Sequence, residues 1–161
     1  MRSSPEASGQ QIELPSWPLD CVICNNPDGR PRNVLVELPR SWVTAGPEAC
    51  LPGYVCVVSR RHVEEPFDLN DGEAWWAECM LVAQALSAEL RPKKMNYEIH
   101  GNTIPHLHLH LFPRTDDDPF VGRPIDGAAQ LVTRSAAELA RLRDAISSAA
   151  RRHGVASADL P

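Results

Sequence analysis

Three histidines alternate with apolar residues in the run His106-Leu107-His108-Leu109-His110-Leu111-Phe112. Alternation is the period of a β-strand, so this spacing sends the three imidazoles to one face and Leu107, Leu109 and Leu111 to the other. Pro105 and Pro113 mark the edges of the strand. Strand residues rise about 3.3 Å each, which sets neighbouring rings roughly 6–7 Å apart at the backbone. Zinc–histidine bonds are about 2.0–2.1 Å, so adjacent members of the row could share a metal ion. His106 and His110, roughly 13 Å apart along a flat strand, can hardly both reach one ion. The row suits an elongated polar ligand such as a phosphate chain. A neutral imidazole is a nucleophile; a protonated one pairs with phosphate oxygens or protonates a leaving group. The bland alternative is a polar strand face of ordinary histidines, and threefold alternation weighs against it.

Other elements must hold this row in place. Asn33 to Leu38 alternates, with Val34, Val36 and Leu38 on one face, and predicts a strand. Tyr54 to Val58, after Pro52-Gly53, predicts a buried strand. Met95, Tyr97 and Ile99 alternate with Asn96, Glu98 and His100, predicting a strand joined to the histidine strand by a hairpin loop from Gly101 to Pro105. Trp75, Cys79, Val82, Ala83, Leu86 and Leu90 recur at helical spacing. Asn70 is placed to cap that helix with Glu73 in a capping box, and Pro92 closes it. Ser135 with Glu138 starts a second helix, with Leu139, Leu142, Ile146 and Ala149 on its inner face and Gly154 at its end. The expected architecture is α+β, an antiparallel sheet with two main helices. At least one of Trp75 and Trp76 is expected in the core, and Asp116-Asp117-Asp118 reads as a solvated loop.

A chain of 161 residues with 43% hydrophobic content suits one domain with one core. Residues 1–16 are polar and read as a mobile arm, 17–153 as the domain and 154–161 as a tail. No apolar run approaches a membrane span, and the first residues lack the apolar stretch of a signal peptide. Five irregularly spaced cysteines make a poor disulfide framework, so a cytoplasmic protein with reduced thiols is expected. A net charge of −5 argues against general nucleic-acid binding but leaves a local nucleotide site open. Cys21-Val-Ile-Cys24 has the spacing of a metal knuckle, yet it is half a site, and histidine must supply the rest. Cys50, Cys56 and Cys79 read as core or loop residues.

The histidine run, led in by Gly101-Asn102-Thr103-Ile104-Pro105 and out by Pro113-Arg114, resembles the motif of the histidine triad (HIT) family of nucleotide hydrolases and transferases. The resemblance extends from about Cys21 to Arg114 and is strongest over its last twenty residues. It implies a HIT-like fold, a homodimer and a nucleotide substrate, with purine expected. It implies His108 as the nucleophile that attacks the α-phosphorus to form a covalent nucleotidyl-histidine, and His110 as a contact to the phosphate or leaving group. Histidine rather than glutamine at position 110 favours hydrolysis over transfer to a sugar phosphate. Asn102, Thr103 and Asn96 match phosphate-binding positions, and Glu37 falls near a ribose-binding one.

In zinc-bearing relatives a histidine after the buried strand, here His62, and the first triad histidine, here His106, join the cysteine pair. The resemblance thus implies a structural zinc on Cys21, Cys24, His62 and His106 and no catalytic cofactor. It leaves phosphoramidates, dinucleoside polyphosphates and adenylylated small molecules as substrate classes. The alternatives are a nucleotidyl transferase or phosphorylase, a non-catalytic nucleotide-binding module, and a zinc enzyme using the triad as catalytic ligands.

Overall fold

In a computed structural model, which describes residues 20–159, the chain forms β1 (Val34–Glu37), β2 (Ser41–Thr44), β3 (Glu48–Ala49), β4 (Val55–Ser59), α1 (Gly72–Leu90), β5 (Lys94–Ile99), β6 (His108–Arg114), β7 (Val132–Thr133), α2 (Ala136–Arg152) and β8 (Ala158–Asp159). Six strands make one antiparallel sheet in the order β5-β6-β4-β2-β1-β8, while β3 and β7 pair separately. The expected α+β architecture is the observed one. The expected arm at 1–16 lies outside the described residues.

Both helices cover one face of the sheet. There Leu107, Leu109 and Leu111 join Val36, Val43, Val55 and Val57 against Trp75, Cys79, Val82 and Leu86 of α1 and Leu142 and Ile146 of α2. Each fully buried aliphatic side chain stabilises by roughly 1.5–3 kcal/mol, so the alternate leucines anchor β6 firmly. The opposite face is therefore left to the histidines. Trp75 is buried and Trp76 exposed, as the helical spacing required.

Four local expectations are corrected. The Asn70–Glu73 capping box does not form: Asp71 is the N-cap of α1, and its carboxylate accepts from Arg40 Nε at 2.7 Å. Val34 does not share a face with Val36. A bulge between them shifts the register, sending Leu35 to the main core and Val34 to a second cluster with Trp42, Val58 and Ile23. Asp118 is buried rather than solvated, because both its oxygens accept from Arg114, at 2.7 and 2.9 Å. Past residue 153 the chain returns to the sheet, where β8 pairs with β1. The second capping box does form, with Ser135 and Glu138 exchanging hydrogen bonds at the start of α2.

Candidate functional site

The register of β6 decides what faces its histidines. His110 lies opposite Cys56 on β4 and Glu98 on β5, and His108 lies opposite Val58. His106 precedes the strand itself: Leu107 hydrogen-bonds Val63 and Ser59 through its backbone, and His106 is held off the regular ladder. The triad is thereby divided between two places.

His108 is buried, and its Nδ1 lies 2.6 Å from the main-chain oxygen of His106. A carbonyl oxygen only accepts, so Nδ1 carries the proton and Nε2 keeps its lone pair. His110 Nδ1 lies 2.7 Å from the hydroxyl of Tyr54. Its ring lies nearly parallel to those of both Tyr54 and Phe112, with centroids at 5.9 and 5.7 Å, and meets His108 edge-on at 4.8 Å. Burial pushes the pKa of His108 below the usual imidazole value. Burial first, then the neighbouring His108 and His100, lowers His110 to about 4. Both rings are accordingly neutral at pH 7, the form that attacks phosphorus.

A cavity of about 450 Å³ opens before these rings. Val22, Ile23, Val58 and Ile104 give it apolar walls, while Thr44, Asn26, Arg32 and Tyr54 add polar groups. This mixture, at this volume, is that of a small-ligand site. A hollow of about 680 Å³ adjoins it, sharing Asn26, Pro31 and Arg32, and one of about 700 Å³ lies elsewhere on the surface; no triad histidine lines either of them.

On the other side of His106, four candidate ligand atoms from Cys21, Cys24, His62 and His106 fall within 4.8 Å of one another. His106 Nδ1 is 3.4 Å from Cys21 Sγ, 3.6 Å from Cys24 Sγ and 3.4 Å from His62 Nδ1, and Cys24 Sγ is 3.3 Å from His62 Nδ1. A tetrahedral ion with metal–sulfur bonds of about 2.3 Å and metal–nitrogen bonds of about 2.05 Å requires edges of roughly 3.4–3.6 Å between such atoms. Nε2–H of His106 donates to the Ser59 carbonyl at 2.7 Å, which leaves Nδ1 unprotonated and facing the cluster. The donor set therefore fits a closed four-coordinate metal site.

The remaining expected residues are less concentrated. Asn102 and Thr103 are exposed in the loop whose next residue, Ile104, lines the cavity. Asn96 faces the histidine side of the sheet, opposite Phe112, but its oxygen accepts from Arg114 at 3.0 Å. Glu37 is paired with Arg30 at 2.6 Å and Arg60 at 3.5 Å and does not line the cavity. Sequence reasoning passed over Tyr54, over Cys56 as a cavity residue, and over the Glu98–His100 pair, whose side chains meet at 3.0 Å beside His110. Glu98 and His100 carried a signal, since both fall on the polar phase of a strand adjoining the triad. Tyr54 carried none.

Residues 29–117 match the model of the HIT domain. The bifunctional bis(5'-adenosyl)-triphosphatase/adenylylsulfatase of Arabidopsis thaliana is 30% identical over 95 residues, 55% of this chain and 53% of the plant protein. The chain thus spans about half the length of that relative. A histidine triad protein from Bradyrhizobium japonicum has a similar structure, with a TM-score of 0.64 and 28% identity over 71% of this chain and 87% of its own. A zinc-bound histidine triad family protein from Mycobacterium smegmatis shares the fold, with a TM-score of 0.59 and 19% identity over 82% of this chain and 96% of its own. The divided triad, the cavity before it and the match over more than half of its length place this chain in the HIT domain family.

Proposed function

We propose that the protein hydrolyses nucleotide derivatives at the α-phosphorus through a covalent nucleotidyl-histidine on His108. The observation that carries this reading is the 2.6 Å contact from His108 Nδ1 to the His106 carbonyl, which bares Nε2 toward the cavity. In this reading the apolar walls receive the base, with purine expected, and Arg32 of the cavity lining, with Asn102 and Thr103 of the loop before Ile104, would bind the phosphates. Asn96 and Glu37 would have to leave their arginine partners to bind substrate. The plant relative, a bis(5'-adenosyl)-triphosphatase and adenylylsulfatase, supports the same class.

Zinc is the proposed occupant of the four-residue cluster, supported by its near-tetrahedral edges and by the zinc-bound neighbour of the same fold. With two thiolates and two imidazoles the ion would be fully coordinated, so what it supplies is folding energy and a fixed His106. A homodimer belongs to the same proposal, and the exposed Tyr97 and Ile99 on β5 offer it apolar surface.

The test is turnover of a panel of adenosine and guanosine phosphoramidates and dinucleoside polyphosphates by the wild type and His108→Ala. Release of nucleoside monophosphate by the wild type alone is the expected result. Binding of monophosphate without turnover would favour the non-catalytic reading, and phosphate-dependent formation of nucleoside diphosphate would favour a phosphorylase.

A further inference from the structure

His108 and His110 are neighbours on one strand, yet the same ring atom meets opposite partners. Nδ1 of His108 faces a carbonyl oxygen, which can only accept; Nδ1 of His110 faces the Tyr54 hydroxyl, which can donate. We propose that Tyr54 donates to His110 Nδ1 and fixes His110 as the Nε2–H tautomer. This restricts the site to leaving groups that depart without taking a proton, the oxygens of phosphate or sulfate anhydrides. The inference rests on the hydrolase reading above.

Tyr54 is well fixed for this task. Its ring stacks on Phe112 with centroids 4.7 Å apart and planes at 11°, and Arg134 Nη1 donates to its main-chain oxygen at 2.5 Å. Burial pushes its phenol pKa up, so the proton stays on the oxygen. Among the described residues the hydroxyl has no hydrogen-bond partner besides His110. Accepting from an Nδ1–H would leave its own proton unused, and donation satisfies both groups.

The charged and titratable groups around His110 agree with a neutral ring. From the β4 side come Tyr54 and Cys56, the latter a thiol raised to about 12 by burial. From the β5 side comes Glu98, whose carboxylate is taken up by His100, and His108 adjoins on β6.

The consequence is chemical. Protonating His110 at Nδ1 would displace the Tyr54 hydrogen bond, and surrendering its Nε2 proton would leave an imidazolate. His110 therefore lends a hydrogen bond and keeps its proton. As His108 Nε2 forms its bond to the α-phosphorus, the bond from phosphorus to the bridging oxygen breaks. The electron pair passes to that oxygen, which departs as a nucleoside phosphate or sulfate anion against His110 Nε2–H. Water then attacks phosphorus and loses its proton to solvent, and the pair of the P–N bond returns to Nε2. A phosphoramidate differs, because its amine must gain a proton as it leaves, and His110 held in this way has none to give.

The test pairs a spectrum with kinetics, on the wild type and Tyr54→Phe, which keeps the stacked ring. In ¹⁵N-histidine NMR spectra the wild type is expected to hold His110 protonated at Nε2 and bare at Nδ1 between about pH 5 and 8. Diadenosine triphosphate and adenosine phosphosulfate should turn over roughly 10²-fold faster than adenosine phosphoramidate, the scale of a missing general acid. In Tyr54→Phe, Nδ1 should gain a proton on acidification. The anhydride-to-phosphoramidate ratio of kcat should then fall about tenfold or more, with phosphoramidate turnover rising toward low pH. An Nδ1–H signal in the wild type, a phosphoramidate as fast as the anhydrides, or an equal loss for every substrate in Tyr54→Phe would each overturn the proposal. Turnover of no substrate, with the expected tautomer still seen, would instead overturn the hydrolase reading and the leaving-group restriction that rests on it.

Discussion

His106 and His108 are coupled through two different parts of one residue: the side chain of His106 belongs to the cysteine–histidine cluster, while its main-chain oxygen holds Nδ1 of His108 at 2.6 Å. A change at the cluster is thereby transmitted to the ring proposed as nucleophile. Cys24→Ser should lower zinc content and melting temperature together. Loss of a structural metal costs several kcal/mol, and each ~1 kcal/mol moves the melting temperature of a domain this size by about 2–4 °C, so a fall of roughly 10 °C or more is expected. Below the new melting temperature, kcat should also fall while KM changes less, because His108 loses its orientation. A metal-free wild type with unchanged stability would reject the metal assignment.

Removing the nucleophile tests the chemistry directly. His108→Ala should cut kcat by about 10³-fold or more and still bind adenosine monophosphate, since only the attacking atom is lost. Single-turnover assays with isothermal titration alongside distinguish this from loss of binding. Appreciable residual turnover would move the nucleophile elsewhere.

The depressed pKa of His110 has a sign that can be worked out. In the unfolded chain an imidazole titrates near 6.5, whereas in the fold His110 titrates at about 4. Between those values the unfolded state binds more protons, so stability is complete above about pH 6.5 and declines as pH falls toward 4. Urea midpoints measured across that window should show a steeper acid decline for the wild type than for His110→Gln. Parallel curves would mean that the ring does not resist protonation.

Arg134 is a buried cation whose partners are main-chain oxygens, those of Gly46 and Tyr54. Arg134→Met removes these charge-assisted bonds and leaves the Gly46 and Tyr54 carbonyls without that donor. A loss of about 2–4 kcal/mol is expected from equilibrium unfolding. An unchanged midpoint would show that water replaces the guanidinium without cost.

The sequence told much about the triad because periodicity is a property of a single strand. Alternation alone put His108 and His110 on one face and the leucines in the core, and half of the cysteine–histidine cluster was visible as Cys21 and Cys24. What escaped it depends on pairing between strands. Nothing in Tyr54-Val55-Cys56 says that β4 will lie against β6 in the register that brings Cys56 opposite His110 and Tyr54 onto its ring. The misplaced Val34 has the same origin, since one bulge reverses the faces that strict alternation assigns. Asp118 looked solvated within three consecutive aspartates, because its partner Arg114 is identified as such only once the chain turns back at the end of β6. Composition near a residue predicts its exposure poorly when a single buried ion pair decides it.

The short β8 has a further effect, on how the molecule meets others. Among the described residues it gives the β1 side of the sheet a border of two residues, too brief to serve as a template for an incoming strand, whereas β5 presents six at the opposite border. Growth of the sheet by a foreign or identical segment is thus polarised toward β5, and any segment added there would lie two strands from the His110 backbone.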